Sequence, residues 1–229
     1  MPPDLLLNIV IYGIPLLLAI PLHEAAHGWV AHRCGDPTAY LQGRVTFNPL
    51  KHIDPIGTVA LPVMLILSGV PFVFGWAKPV PVNFRLLRRP RRDMMLVAVA
   101  GPALNLILAF LSALGMRFVA GYMAPGAENM PWWGEMLVFS LLLNTALAIF
   151  NLLPILPMDG GRILHGALPD SLARPYARTE RWGMPFIFAL FLLPPVIGMA
   201  FSQQWSVFNW ILAPAVYAIA DSLLFLVGL

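Results

Sequence analysis

The sequence predicts an all-α integral membrane protein with about five transmembrane helices, and three observations carry that expectation. Of 229 residues, 59% are hydrophobic and 11% charged, and the mean hydropathy is +0.77, a balance too apolar for one soluble core of this size to hide. Apolar stretches near or above the roughly 20 residues that cross a bilayer as a helix recur along the chain. Basic residues gather in alternate connections between them, as they do on the cytoplasmic side of a membrane.

The first apolar run covers about residues 5–31. It comes after Met1-Pro2-Pro3-Asp4, which has no basic region, and it passes straight into polar residues where a signal peptide would show a small-residue cleavage site, so a retained span is expected. Arg33, Arg44 and Lys51 come next. Within this polar piece Tyr40-Leu-Gln-Gly-Arg-Val-Thr-Phe47 mixes β-formers with a central glycine, so residues 39–50 are expected to form a short β-hairpin-like segment. Asn48-Pro49 and Asp54-Pro55 then mark turns. The stretch from Gly57 to Ala77 is apolar but interrupted by Pro62, Gly69, Pro71 and Gly75.

Six basic residues, Lys78, Arg85, Arg88, Arg89, Arg91 and Arg92, precede the second core helix at about 94–119. The third core helix is expected at about 136–158, succeeded by Arg162, Arg174, Arg178 and Arg181, and two more helices at about 184–200 and 207–227. The connections around 120–135 and 201–206 carry no Lys or Arg. The positive-inside rule therefore puts 32–56, 78–93 and 160–183 in the cytoplasm, and residues 57–77 must enter and leave by one face as a re-entrant or embedded hairpin. The alternative, six full spans, exports the segment with six charges. No repeat, low-complexity tract or shift of composition divides the chain, so residues 1–229 read as one membrane domain. The net charge of +3 lies in loops beside a bilayer, which suits anionic lipid headgroups and argues against nucleic acid. With Cys34 alone, no intramolecular disulfide forms.

His23-Glu24-Ala25-Ala26-His27 places two imidazoles one helical turn apart, on one face, where both can ligate a single metal with Glu24 beside it. Ionisable groups are expensive inside an apolar helix and mark a functional site there. A hydrolytic zinc site needs three protein ligands and an open position for water. The soluble HExxHxxGxxH pattern fails, because Val30 stands at its glycine and Arg33 at its third histidine. Asp36, Asp54, Asp159, Asp170 and Asp221 are the acidic candidates near a membrane face. Asp159 stands out: Asn151-Leu-Leu-Pro-Ile-Leu-Pro-Met-Asp159-Gly-Gly breaks an apolar span with two prolines and two glycines, and broken backbone at depth must line a cavity or be buried in protein. Asp54 is the runner-up.

The pair HEAAH and NLLPILPMDGG resembles the signature of the site-2 protease family of intramembrane metalloproteases, peptidase family M50. Ala98 to Asn105, AVAGPALN, is similar to the opening of the family's intervening helix. Arg44 to Thr58 and Gly75 to Asn83 resemble loops of a compact branch without PDZ or CBS domains, and together the matches cover roughly half of the chain. The resemblance implies one Zn2+ per chain on His23, His27 and Asp159, acid/base catalysis by Glu24, and a substrate or oxyanion role for Asn151. It implies for Asn105 either a site role or an interhelical hydrogen bond, and it leaves His52 as a candidate support behind the ligands. It further implies hydrolysis of peptide bonds in transmembrane or membrane-proximal segments of a protein or peptide substrate. The implied location is the prokaryotic cytoplasmic membrane, with the active site toward the cytoplasmic face. Two other readings stay open: a membrane metal or solute transporter, which would usually show repeated architecture and a full polar path, and a catalytically inactive adaptor, which would normally have lost a ligand or Glu24.

Overall fold

The structure is a computed structural model and describes residues 3–67, 76–123, 130–203 and 205–229. In chain order its helices are α1 (Pro3–Arg33), α2 (Thr38–Leu41), α3 (Leu61–Leu67), α4 (Pro90–Tyr122), α5 (Trp132–Asn151), α6 (Asp159–Ala167), α7 (Asp170–Ala177), α8 (Glu180–Ala200) and α9 (Ala213–Leu226). A 3-10 turn at Pro49–His52 and π-helical turns at Pro55–Ala60 and Phe208–Leu212 complete the regular structure among the described residues. Five helices are long and apolar enough to cross a membrane: α1, α4, α5, α8 and the run Phe208–Leu226.

Helix α4 packs between α1 and α5. Lipid is as apolar as leucine, so helices in a bilayer are held by close approach of small residues and by polar pairs, not by hydrophobic burial. The interior of the bundle obeys that rule. Ala98, Gly101, Pro102 and Asn105 are buried along α4, and farther on Ala109 and Ala113 meet Leu141 of α5 and Ala220 of α9. Large apolar side chains such as Leu6, Ile9, Leu17, Phe110 and Phe118 are exposed, facing the bilayer solvent. Helix α9 runs alongside α4 in the same direction, and Arg117 donates from Nη1 to the Gly228 carbonyl at 2.8 Å.

Residues 39–50 contain no strand, which corrects the expected β-hairpin. Local capping prevails there. Asp36, wholly buried, accepts from the backbone N–H and the hydroxyl of Thr38 and starts α2. Gly43, at φ +63°, closes it in a conformation that glycine adopts without strain, and the Arg44 N–H returns to the Ala39 carbonyl. The Asn48 side chain then accepts from Leu50 N–H, and Pro49 opens the 3-10 turn.

The two ends of the 57–77 stretch lie side by side: Trp76 N–H donates to the Gly57 carbonyl at 3.1 Å, and the Thr58 hydroxyl donates to the Trp76 carbonyl at 2.8 Å. A same-face hairpin requires that meeting and a single full crossing forbids it. Residues 68–75, its far end, lie outside the described residues. The third core helix also stops earlier than 158. It ends at Asn151, and a series of turns through Pro154 and Pro157 carries the chain to Asp159.

Candidate metal centre

His23 and His27 sit on α1, ten and six residues before its last residue Arg33, and are 7% and 9% exposed. Their rings stand edge to face, 4.7 Å between centroids, with Nε2 atoms 3.0 Å apart. Asp159 Oδ2 lies 3.3 Å from His23 Nε2 and 3.4 Å from His27 Nε2. These three residues form a group able to hold a metal ion. Tetrahedral zinc with bonds of about 2.0–2.1 Å sets its ligand atoms roughly 3.3 Å apart, so the observed triangle has the right edges for that ion. Asp159 Oδ2 is buried and has no hydrogen-bond partner, a cost that an ion bound by the three groups would remove. Two imidazoles and one carboxylate are also zinc's own donor types.

Asp159 reaches this place because two glycines stand directly after it. A Cβ on Gly160 would overlap the Leu152 carbonyl oxygen, and one on Gly161 would stand 2.5 Å from the backbone of Ile155. Backbone cannot yield as a side chain can, so only glycine lets the first turn of α6 fold back on the NLLPIL turns and point its carboxylate at α1. Gly101 does the same for α4: a Cβ there would lie 2.5 Å from His27 Nε2 and 2.6 Å from His23 Nε2.

The imidazoles are held from behind. His27 Nδ1 donates to the Val97 carbonyl at 2.7 Å, and His23 Nδ1 bonds the Asn105 side-chain oxygen at 2.5 Å. A ring nitrogen that donates on one side leaves the other as a lone pair for metal. Asn105 is therefore occupied in the bundle, fully buried, with its amide nitrogen directed to Asn144 Oδ1 at 2.9 Å and more distantly to the Ala19 carbonyl at 3.4 Å.

Glu24 lies between the histidines in sequence and points elsewhere. Its Oε2 accepts from Val80 N–H at 2.7 Å. Val80 belongs to an irregular strap, Trp76–Asn83, in which Pro79 and Pro81 exclude helix and push the residues before them to extended backbone. The strap is tied along its length: Trp76 to Gly57 and Thr58, Lys78 N–H to the His52 carbonyl, Arg44 Nη2 to the Lys78 and Pro79 carbonyls, Val80 N–H to Glu24, and Asn83 N–H to Asp36 Oδ2.

The remaining sequence candidates are spread out. Asn151 ends α5, and its side-chain nitrogen donates to the Leu147 carbonyl at 2.9 Å, which leaves a second N–H of the amide for another acceptor. His52 is buried and its ring bonds the Thr46 carbonyl, away from the ligands; it supports the strap through its own backbone. Burial there holds its pKa below the ordinary histidine value. Asp54 caps a helical turn by accepting from Ile56 and Gly57 N–H. Gly101, Val80 and Asn144 do not stand out in the sequence as site residues. For Asn144, an amide buried in an apolar helix two turns before Asn151, a signal is nonetheless present.

Residues 119–194 match the model of peptidase family M50. Putative zinc metalloprotease YwhC of Bacillus subtilis is 38% identical over 189 residues, which cover 79% of this chain and 80% of that protein. Putative zinc metalloprotease Rip2 of Mycolicibacterium smegmatis is 33% identical over 179 residues, 78% of this chain and 65% of the relative. Rip2 of Mycobacterium tuberculosis is 30% identical over 193 residues, 84% and 71%. No solved structure matches.

Proposed function

The chain belongs to peptidase family M50, and from that premise we propose that it is an intramembrane metalloprotease of the site-2 type, a single catalytic domain that holds one Zn2+ on His23, His27 and Asp159. The observation that carries this reading is the buried triangle of two Nε2 atoms and one carboxylate oxygen, with edges of 3.0 to 3.4 Å, built from two distant stretches of chain.

The ion supplies Lewis acidity, which polarises a carbonyl and makes water acidic enough to attack at neutral pH. This chain's own groups do the rest. Glu24, next to a ligand and half-buried, takes the proton of the attacking water and passes it to the leaving amide nitrogen. Asn151, with one N–H bound to Leu147, offers the other to the substrate carbonyl or the oxyanion. The substrate is a transmembrane or membrane-proximal segment, whose carbonyls are hidden in its own helix until it unwinds. Helix-breaking residues near the cut should therefore help cleavage. Basic connections on the metal-centre side of the bundle favour a cytoplasmic-facing site with anionic headgroups beside them, and the family likeness favours a prokaryotic cytoplasmic membrane.

The test pairs zinc analysis with cleavage of a panel of single-span membrane proteins. Glu24→Gln is expected to keep about one zinc per chain and lose cleavage, while Asp159→Ala loses both. Normal turnover by Glu24→Gln would remove the mechanism, and metal flux without cleavage would turn the reading toward a transporter.

A further inference from the structure

We infer that Asn144, on α5, is a positioning residue for His23: acting through Asn105, it fixes which nitrogen of the His23 ring is presented to the metal site. The inference rests on the proposed role of His23 as a zinc ligand.

A primary amide next to an imidazole is ambiguous, because it can offer either its oxygen or its nitrogen. If Asn105 turned its nitrogen toward His23 Nδ1, the ring hydrogen would have to sit on Nε2, and no lone pair would face Asp159 and His27. The direction of the whole chain of bonds is set at its far end by a group with no choice. Asn144 Nδ2 meets the backbone carbonyl of Ser140 at 2.9 Å, and a carbonyl only accepts. Asn144 must therefore present its oxygen to Asn105, which lies 2.9 Å away and must donate. Asn105 is left with its oxygen toward His23, 2.5 Å from Nδ1, so Nδ1 carries the hydrogen and Nε2 the lone pair.

Asn105 and Asn144 are 0% and 2% exposed, so bulk water does not relieve a reversed pair, in which two amide oxygens or two amide nitrogens would face each other. The Ala19 carbonyl favours the same orientation, but at 3.4 Å its bond is long. His27 needs no such relay, because its Nδ1 meets the Val97 carbonyl directly. Ser112 bonds the Leu108 carbonyl at 2.9 Å and Ser140 Oγ at 2.8 Å, and Ser140 Oγ lies 3.3 Å from Asn144 Nδ2, so this branch only adds to the orientation that the nearer Ser140 carbonyl already imposes.

The experiment measures Zn2+ affinity by chelator competition on the full chain in detergent, with the electronic spectrum of the Co2+-loaded protein as a second readout. Asn144→Leu is expected to weaken zinc binding by about 10-fold to 100-fold and to change the Co2+ spectrum, the range for losing a group behind a ligand. Asn144→Asp, neutral when buried, can donate to the Ser140 carbonyl and accept from Asn105, so it should recover most of the affinity. Ser112→Ala should leave both readouts at wild-type values. In wild type loaded with 113Cd and labelled with 15N-histidine, the metal-coupled nitrogen of His23 is expected to be Nε2, a measurement that needs no variant to fold. Wild-type zinc affinity in Asn144→Leu, an equal loss in Ser112→Ala, or coupling through Nδ1 would each overturn the inference while leaving the proposed function standing. A wild-type chain that binds no zinc would instead sink the proposed function.

Discussion

His23, His27 and Asp159 take their positions from helices, whereas the Glu24 carboxylate takes its orientation from a strap without regular structure. On the helical side each part is braced by groups that cannot move alone: the Val97 carbonyl within α4, the Asn105 and Asn144 amides between helices, and glycine contacts against backbone. On the other side Val80 N–H meets Glu24 from a segment anchored by hydrogen bonds to Arg44, His52 and Asp36. On the proposed reading, metal binding and acid/base catalysis would rest on separate parts of the molecule. On that reading the ligands are fixed by helix packing, while the base is oriented by a backbone N–H of a segment held through hydrogen bonds.

The largest effect is expected from the helical side. Gly101→Ala puts a methyl group onto both Nε2 atoms, so zinc per chain measured on purified protein should fall to background and cleavage with it. Full zinc content in that variant would mean that α1 and α4 part easily, and the account of the helical side as fixed by close packing would fail. An intermediate effect should come from the strap. Val80→Pro sits between two prolines already present; it removes the N–H that meets Glu24 and also replaces a buried side chain that packs near Gly28 of α1. A hydrogen bond to a charged group contributes about 1.5–3 kcal/mol, so cleavage should drop by roughly tenfold or more at unchanged zinc content. Unchanged cleavage would reduce the strap to a cover.

The smallest effect concerns acid and sharpens the same contrast. Burial depresses the His52 pKa, so the unfolded chain takes up a proton near pH 6.5 that the folded chain refuses. The stability that neutral His52 contributes is present above about pH 6.5 and is lost as pH falls through its lowered folded value. Thermal unfolding in detergent should therefore show a shallower loss of stability on acidification for His52→Gln than for wild type. Identical pH profiles would detach His52 from the strap's stability.

Much of this was legible because two signals survive in one dimension. Hydropathy marks spans, since a bilayer demands continuous apolar helix, and HEAAH marks a metal face, since the helical period is fixed. Charge placed the 57–77 stretch on one face, and the meeting of Trp76 with Gly57 and Thr58 agrees with it. No hairpin forms at 39–50 because its β-formers are outweighed by Asp36, Asn48 and Gly43, whose side chains or backbone freedom settle turns locally. Asn105 is turned into the bundle, where its partners lie on α1 and α5, a matter of packing that no spacing encodes.

By itself the sequence determined the number of long apolar helices and a face of α1 carrying two imidazoles, because each depends on composition or on the period of one helix. Only the tertiary structure decided that Asp159 closes the triangle, that Gly101 makes room for it, that Val80 N–H meets Glu24, and that Asn105, bonded to Asn144, meets His23. Those outcomes depend on distances between stretches far apart in the chain, which are set by how closely helices approach and which donor finds which acceptor.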